Sequence, residues 1–171
     1  MWISPNTDFG TFELDEIYWF ITARKGDENG INTYVMTMIS RKPRQILAFA
    51  VDNSRTQRLI QQMVDSVPAA DNYATDGYYG YGDIIFPGRH IQNADNKNDT
   101  FLVEGTNADL RHYVAGLRRK SRCFFRTIET FQAVIWLVAN AYNKFGEAKR
   151  AWWERDIYYG RDFNFSHLDY I

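Results

Sequence analysis

The sequence predicts one α/β domain built on a mixed β-sheet, and three observations carry that prediction. Three runs rich in Ile, Val, Tyr, Phe and Thr follow one another between residues 12 and 51, separated only by turn chemistry. A helical stretch and a further short strand come next. The C-terminal half then shifts to helical periodicity. With 171 residues, 45% hydrophobic and 16% aromatic, the chain can bury one sizeable core but not two ordinary ones. The domain is drawn over residues 1–150, and 151–171 form an aromatic, weakly periodic tail that packs on it or extends from it.

The elements follow in order. Residues 12–24 suit a first strand, and Lys25-Gly26-Asp27-Glu28-Asn29-Gly30 is a turn. Residues 33–39 form a second strand, ended by Lys42-Pro43 because proline cannot donate to a ladder. Residues 45–51 form a third, and the three read as an antiparallel meander. Ser54 is the expected N-cap of a helix over 55–66, with Leu59, Ile60, Met63 and Val64 on its apolar face and Pro68 closing it. Residues 72–75 then pair in parallel after the helical crossover. Ile84-Ile85-Phe86 and His90-Ile91 supply a fifth strand, and 93–100 is a polar loop. Helices are expected over 104–120 and 127–145, the second apolar on most faces and well buried. A meander, a crossover helix and a parallel fourth strand are the makings of a ribonuclease-H-like fold, a mixed five-stranded sheet with flanking helices.

Bulk features exclude several functions. Cys123 is the only cysteine, which rules out an internal disulfide and a cysteine-rich zinc site. No apolar run reaches the roughly 18 residues that span a bilayer. Met1-Trp2-Ile3-Ser4-Pro5-Asn6 lacks the basic and apolar regions of a secretion signal. The expectation is a soluble cytoplasmic protein, nucleoid-associated, with no membrane partner. Net charge is −1, so the whole-molecule field gives no hint of nucleic acid. The distribution does: Leu110 to Ile128 holds Arg111, Arg118, Arg119, Lys120, Arg122 and Arg126 and no acid. Such a stripe is either a phosphate-binding footprint or a solvated helix face.

Three carboxylates occupy three settings: Asp15 in the first strand, Asp76 where the fourth strand meets a glycine turn, and Glu104 at the start of a helix. In the expected topology the first and fourth strands are neighbours, so Asp15 and Asp76 approach and the helix brings Glu104 across. Converging carboxylates repel unless a cation is present. An oxygen-only set suits Mg²⁺, and two ions about 3.5–4 Å apart can clamp both reacting oxygens of a phosphodiester. Spacing alone does not separate these three from ordinary surface acids among the 21 in the chain. The helix adds weight, because Asn107, Arg111 and Arg118 fall 3, 7 and 14 residues after Glu104 and share its face. The planar fork of arginine suits phosphate oxygens. Glu16 is an alternative to Asp15, but strand neighbours point to opposite faces, so only one of the two is expected to serve.

The segments Leu14-Asp15-Glu16, Thr75-Asp76-Gly77 and Glu104-x-x-Asn107-x-x-Leu110-Arg111 resemble those of DDE transposases of the insertion sequence 1 family. The stretch from Leu110 to Ser121, the Phe124, Phe125 and Glu129 that follow, and the final Phe163-Asn164-Phe165-Ser166-His167-Leu168-Asp169-Tyr170-Ile171 are similar to that family's pattern. The resemblance covers about Phe12 to Ile171. It implies a transposase catalytic domain with Asp15, Asp76 and Glu104 as catalytic triad and metal ligands. The cofactor implied is Mg²⁺ or Mn²⁺, two ions. The partner is DNA, both the terminal inverted repeats of an element and its target. Asn107, Arg111, Arg118, Arg119, Lys120 and Arg122 are the expected DNA-binding residues, and a homodimer on paired ends is the expected assembly. The family's N-terminal zinc-finger and helix-turn-helix part has no counterpart here, so the chain resembles the downstream reading frame alone, a possible partner of an upstream-frame DNA-binding module. Two rivals stay open: a ribonuclease-H-like nuclease without strand transfer, and a non-catalytic DNA-binding regulator from a truncated element.

Overall fold

The computed structural model describes residues 1, 3, 7–21, 30–92, 99–118 and 123–145. Residues 22–24 of the expected first strand, most of the polar loop and the tail over 151–171 lie outside them.

Among the described residues, five strands and three α-helices form an α/β arrangement. The strands are β1 (Asp8–Ile21), β2 (Ile31–Lys42), β3 (Gln45–Asp52), β4 (Asn72–Thr75) and β5 (Arg89–Gln92). The helices are α1 (Gln57–Asp65), α2 (Phe101–Tyr113) and α3 (Ile128–Phe145). The sheet order is β3-β2-β1-β4-β5. β1, β2 and β3 are antiparallel, whereas β4 runs parallel to β1 and β5 parallel to β4. No helix among the described residues is long and apolar enough to cross a membrane.

Strand alternation in β1 feeds two cores. Phe12 and Leu14 join Met36, Met38, Tyr73 and Tyr81 beneath Ile60, Met63 and Val64 of α1. Ile17, Trp19 and Ile21 join Val35 and Ile39 beneath Val103 and Leu110 of α2 and Phe131 and Ile135 of α3. A bulge in the β2–β3 ladder, where Met38 faces Ala48 but Ile39 faces Ile46, makes Leu47 the extra residue. Beside it, at the sheet's edge, the buried Asn143 of α3 donates to the Ile46 carbonyl at 2.7 Å and accepts from the Ile46 amide at 2.8 Å. A helix side chain thereby occupies backbone groups that an edge strand otherwise leaves open.

Four details depart from the sequence expectation. The N-cap of α1 is Thr56, not Ser54; its hydroxyl accepts from the Leu59 amide at 3.3 Å. Of the expected fifth strand, His90-Ile91 pair with β4 within Arg89–Gln92, and Ile84–Phe86 do not. α2 starts at Phe101 and ends at Tyr113, so Arg118 is not on it. A 3₁₀ turn over Ala115–Leu117 follows, where a Cβ on Gly116 would fall 2.4 Å from the Phe125 ring. α3 buries one stripe (Phe131, Ile135, Ala139, Tyr142), leaving Trp136 and Leu137 at least half exposed.

Candidate functional site

The site forms where β4 stops and β1 continues. The last parallel pair is Leu14 with Thr75, so Asp15 and Glu16 stand beside the point at which the chain leaves β4 at Asp76. There Asp76 turns back on itself, its Oδ1 accepting from the Tyr78 amide at 2.9 Å, an Asx turn that fixes the carboxylate. Carboxylate oxygens of Asp15, Glu16 and Asp76 all lie within 4.8 Å of one another. Oxygens bound to one Mg²⁺ stand at most about 4.2 Å apart, since each bond is about 2.1 Å. The trio could therefore hold one ion, and an all-carboxylate donor set is the chemistry a hard cation takes.

Glu16 therefore belongs to the cluster, which corrects the expectation that one of Asp15 and Glu16 must be excluded. The two alternate along β1, yet beside the point where β4 ends an oxygen of each lies within 4.8 Å of the other and of Asp76. On the α1 side Glu16 accepts from the buried Tyr81 hydroxyl at 2.8 Å and pairs with Arg55 at 3.8 Å. The Arg55 guanidinium itself lies over the rings of Tyr78 and Tyr34, 3.9 and 4.8 Å from their centroids. On the α2 side Asp15 Oδ2 accepts from Asn107 Nδ2 at 2.9 Å, and Asn107 Oδ1 accepts from the Thr37 hydroxyl at 2.7 Å.

Glu104 stands in the first turn of α2, half-buried and outside the tight trio. It is close enough for its charge to act on Asp15. Burial is the main cause that raises the Asp15 pKa; hydrogen bonds from the Glu16 backbone and Asn107 oppose it, and the charges of Asp76 and Glu104 add to it. Burial also lifts Glu16 to about 7, reinforced by Asp76 and Asp15 and opposed by Tyr81 and Arg55. Both shifts come first from burial, and the neighbouring carboxylate charges that enlarge them are the part a cation would relieve.

The expected DNA-binding residues divide. Asn107 is 1% exposed with both ends of its amide engaged, so it steadies Asp15 instead of facing a phosphate surface. Arg111 lies half-buried on α2. Arg118 is exposed and donates through Nε and Nη2 to the His112 carbonyl at 3.0 and 2.8 Å, capping the end of α2 instead of extending the Glu104 face. Arg119, Lys120 and Arg122 lie outside the described residues. Sequence reasoning missed Arg55 and Thr37 as neighbours of the site. Neither carries a local signal, because Thr37 gains its role only when α2 lies against β2, and Arg55 only when the β3–α1 connection meets Glu16 of β1.

No protein-family model matches the chain, and no curated protein is significantly similar to it.

Proposed function

We propose that the chain is the catalytic domain of a DDE transposase of the insertion sequence 1 type, acting on DNA ends and target DNA with divalent cations. The observation that carries this reading is the convergence of Asp15 and Asp76 across the β1–β4 pair, with Glu104 near enough on α2 to act on Asp15. The strand order and the antiparallel meander followed by parallel β4 and β5 are consistent with a ribonuclease-H-like fold. Glu16 joins the acids that can complete the shell. Bound Mg²⁺ would supply activation of the attacking hydroxyl and stabilisation of the leaving oxygen in an in-line displacement. The protein's part is positional: Asp76 is fixed by its own turn, Asp15 by Asn107, and Glu104 by the start of α2. Cytoplasmic, nucleoid-associated action as a homodimer on paired ends, with end recognition aided by an upstream-frame module, completes the proposal.

The test is strand transfer of a pre-cut element end in Mg²⁺. Joined product from wild type, and none from Asp15→Ala, Asp76→Ala or Glu104→Ala, is the expected outcome. Variants as active as wild type refute it. Hydrolysis without joining points to a nuclease, and salt-dependent binding without cleavage of a pre-nicked substrate points to a non-catalytic regulator.

A further inference from the structure

We propose that Glu13 is a positioning residue for this site, setting through the N-terminus of α2 where Glu104 stands relative to Asp15. The proposal rests on the reading of Asp15, Asp76 and Glu104 as cation ligands.

Glu13 is fully buried, and a buried carboxylate persists only where it is paired and hydrogen-bonded. Its Oε2 accepts from the backbone amides of Leu102 and Val103 at 3.0 and 2.9 Å. Its Oε1 accepts from Arg41 Nε at 2.7 Å. Arg41 in turn donates through Nη2 to the Asp99 carbonyl at 2.8 Å, just ahead of α2. Amides at a helix start need an acceptor, and the N-cap side chain usually provides it. Thr100 occupies that place and makes no such bond. The cap comes instead from a neighbouring strand. A local cap would satisfy the same amides without linking the helix to anything; a cap from β1 ties it to the sheet.

The tie falls at an informative place. Glu13 lies two residues before Asp15 on the same face of β1, and Val103 immediately precedes Glu104. One turn further along α2, Asn107 holds Asp15 itself. Glu104 is thus bracketed by two strand-to-helix ties that both end on β1, one at Glu13 and one at Asp15. They act beside apolar packing: of the four buried residues in α2, Val103 and Leu110 are apolar, with Leu102 packed against the same core, and Thr106 and Asn107 are polar. Arg44 adds a third polar tie, donating to Thr106 Oγ1 at 2.8 Å. Directional bonds therefore join the apolar contacts in setting the register of α2. With Glu13 removed, the first turn and Glu104 lose their fixed distance from Asp15.

The test measures Mn²⁺ affinity of the full chain by calorimetric titration, beside thermal stability. The variants are Glu13→Gln, which removes the charge that holds Arg41 and the helix amides, and Val64→Ala, which weakens the separate core under α1. Loss of a group that orients a metal ligand typically weakens affinity about 10–100-fold. The expected result is at least a tenfold loss for Glu13→Gln, and none for Val64→Ala at a comparable loss of Tm. Wild-type affinity in Glu13→Gln overturns the proposal, as does an equal loss in Val64→Ala. If Glu13→Gln does not fold, Arg41→Gln replaces it, since it leaves the cap in place but unbraced; a measurable loss supports the proposal and unchanged affinity overturns it. An Asp15→Asn control separates the two readings. If wild type and Asp15→Asn bind Mn²⁺ alike, the site reading itself falls and the positioning role with it; if only Asp15→Asn loses binding, the positioning role alone falls.

Discussion

Replacing Asn107 with Asp tests the site's electrostatics with a change of almost no volume. Asn107 Nδ2 donates to Asp15 Oδ2 at 2.9 Å, while its Oδ1 accepts from Thr37. In Asn107→Asp the Thr37 bond survives, but a carboxylate oxygen replaces the donor. Two unit charges about 4 Å apart repel by about 4 kcal/mol at an effective dielectric constant of 20. Side-chain relaxation and shared protonation lower the net cost to about 2–4 kcal/mol at pH 7. The sign with pH follows from linkage. The pair's folded-state pKa values rise above their unfolded values, so the folded protein binds more protons across that window. The extra cost is then absent below about pH 4, grows as pH rises through the window, and is constant above the raised values. Urea denaturation at several pH values between 4 and 8 reads this directly, and millimolar Mg²⁺ recovers most of the loss by neutralising the pair. A loss below about 0.5 kcal/mol that neither varies with pH nor responds to Mg²⁺ refutes the reasoning.

Two other outcomes are expected. Burial raises Glu16 from 4.5 to about 7, so without divalent cation wild-type stability falls as pH climbs through that range, by at most roughly 3 kcal/mol; Glu16→Gln flattens that part of the urea-derived profile, and an unchanged slope contradicts the assignment. Asn143→Ala leaves the Ile46 amide and carbonyl without their side-chain partner and lowers stability by about 2–3 kcal/mol in equilibrium denaturation; a loss under about 0.5 kcal/mol shows that water replaces both bonds.

Much of the sheet was legible because its signals are local. Alternating β-branched and aromatic residues mark β1, β2 and β3, and the interposed helix leads to parallel β4. The neighbourhood of Asp15 and Asp76 follows from that topology. What was not legible depends on tertiary contacts. α2 begins at Phe101 because its cap is Glu13, far off in sequence, and it ends at Tyr113, before a turn packed against Phe125. Asn107 shares the helical spacing of a surface polar residue, but Thr37 and Asp15 claim it from the sheet. The alternation rule for Asp15 and Glu16 is right about direction. It fails as an exclusion because, beside the end of β4, the two carboxylates still come within 4.8 Å of each other. The stripe of α3 that meets the sheet is narrower than its composition implies, since Trp136 and Leu137 remain outside it.

Crystals grown with Mn²⁺ and examined by anomalous scattering provide the sharpest test of the metal centre. The prediction is a peak within about 2 Å of carboxylate oxygens of both Asp15 and Asp76, with Glu16 or Glu104 completing the protein's share of the shell. A peak held by other residues, or none at saturating Mn²⁺, would contradict it.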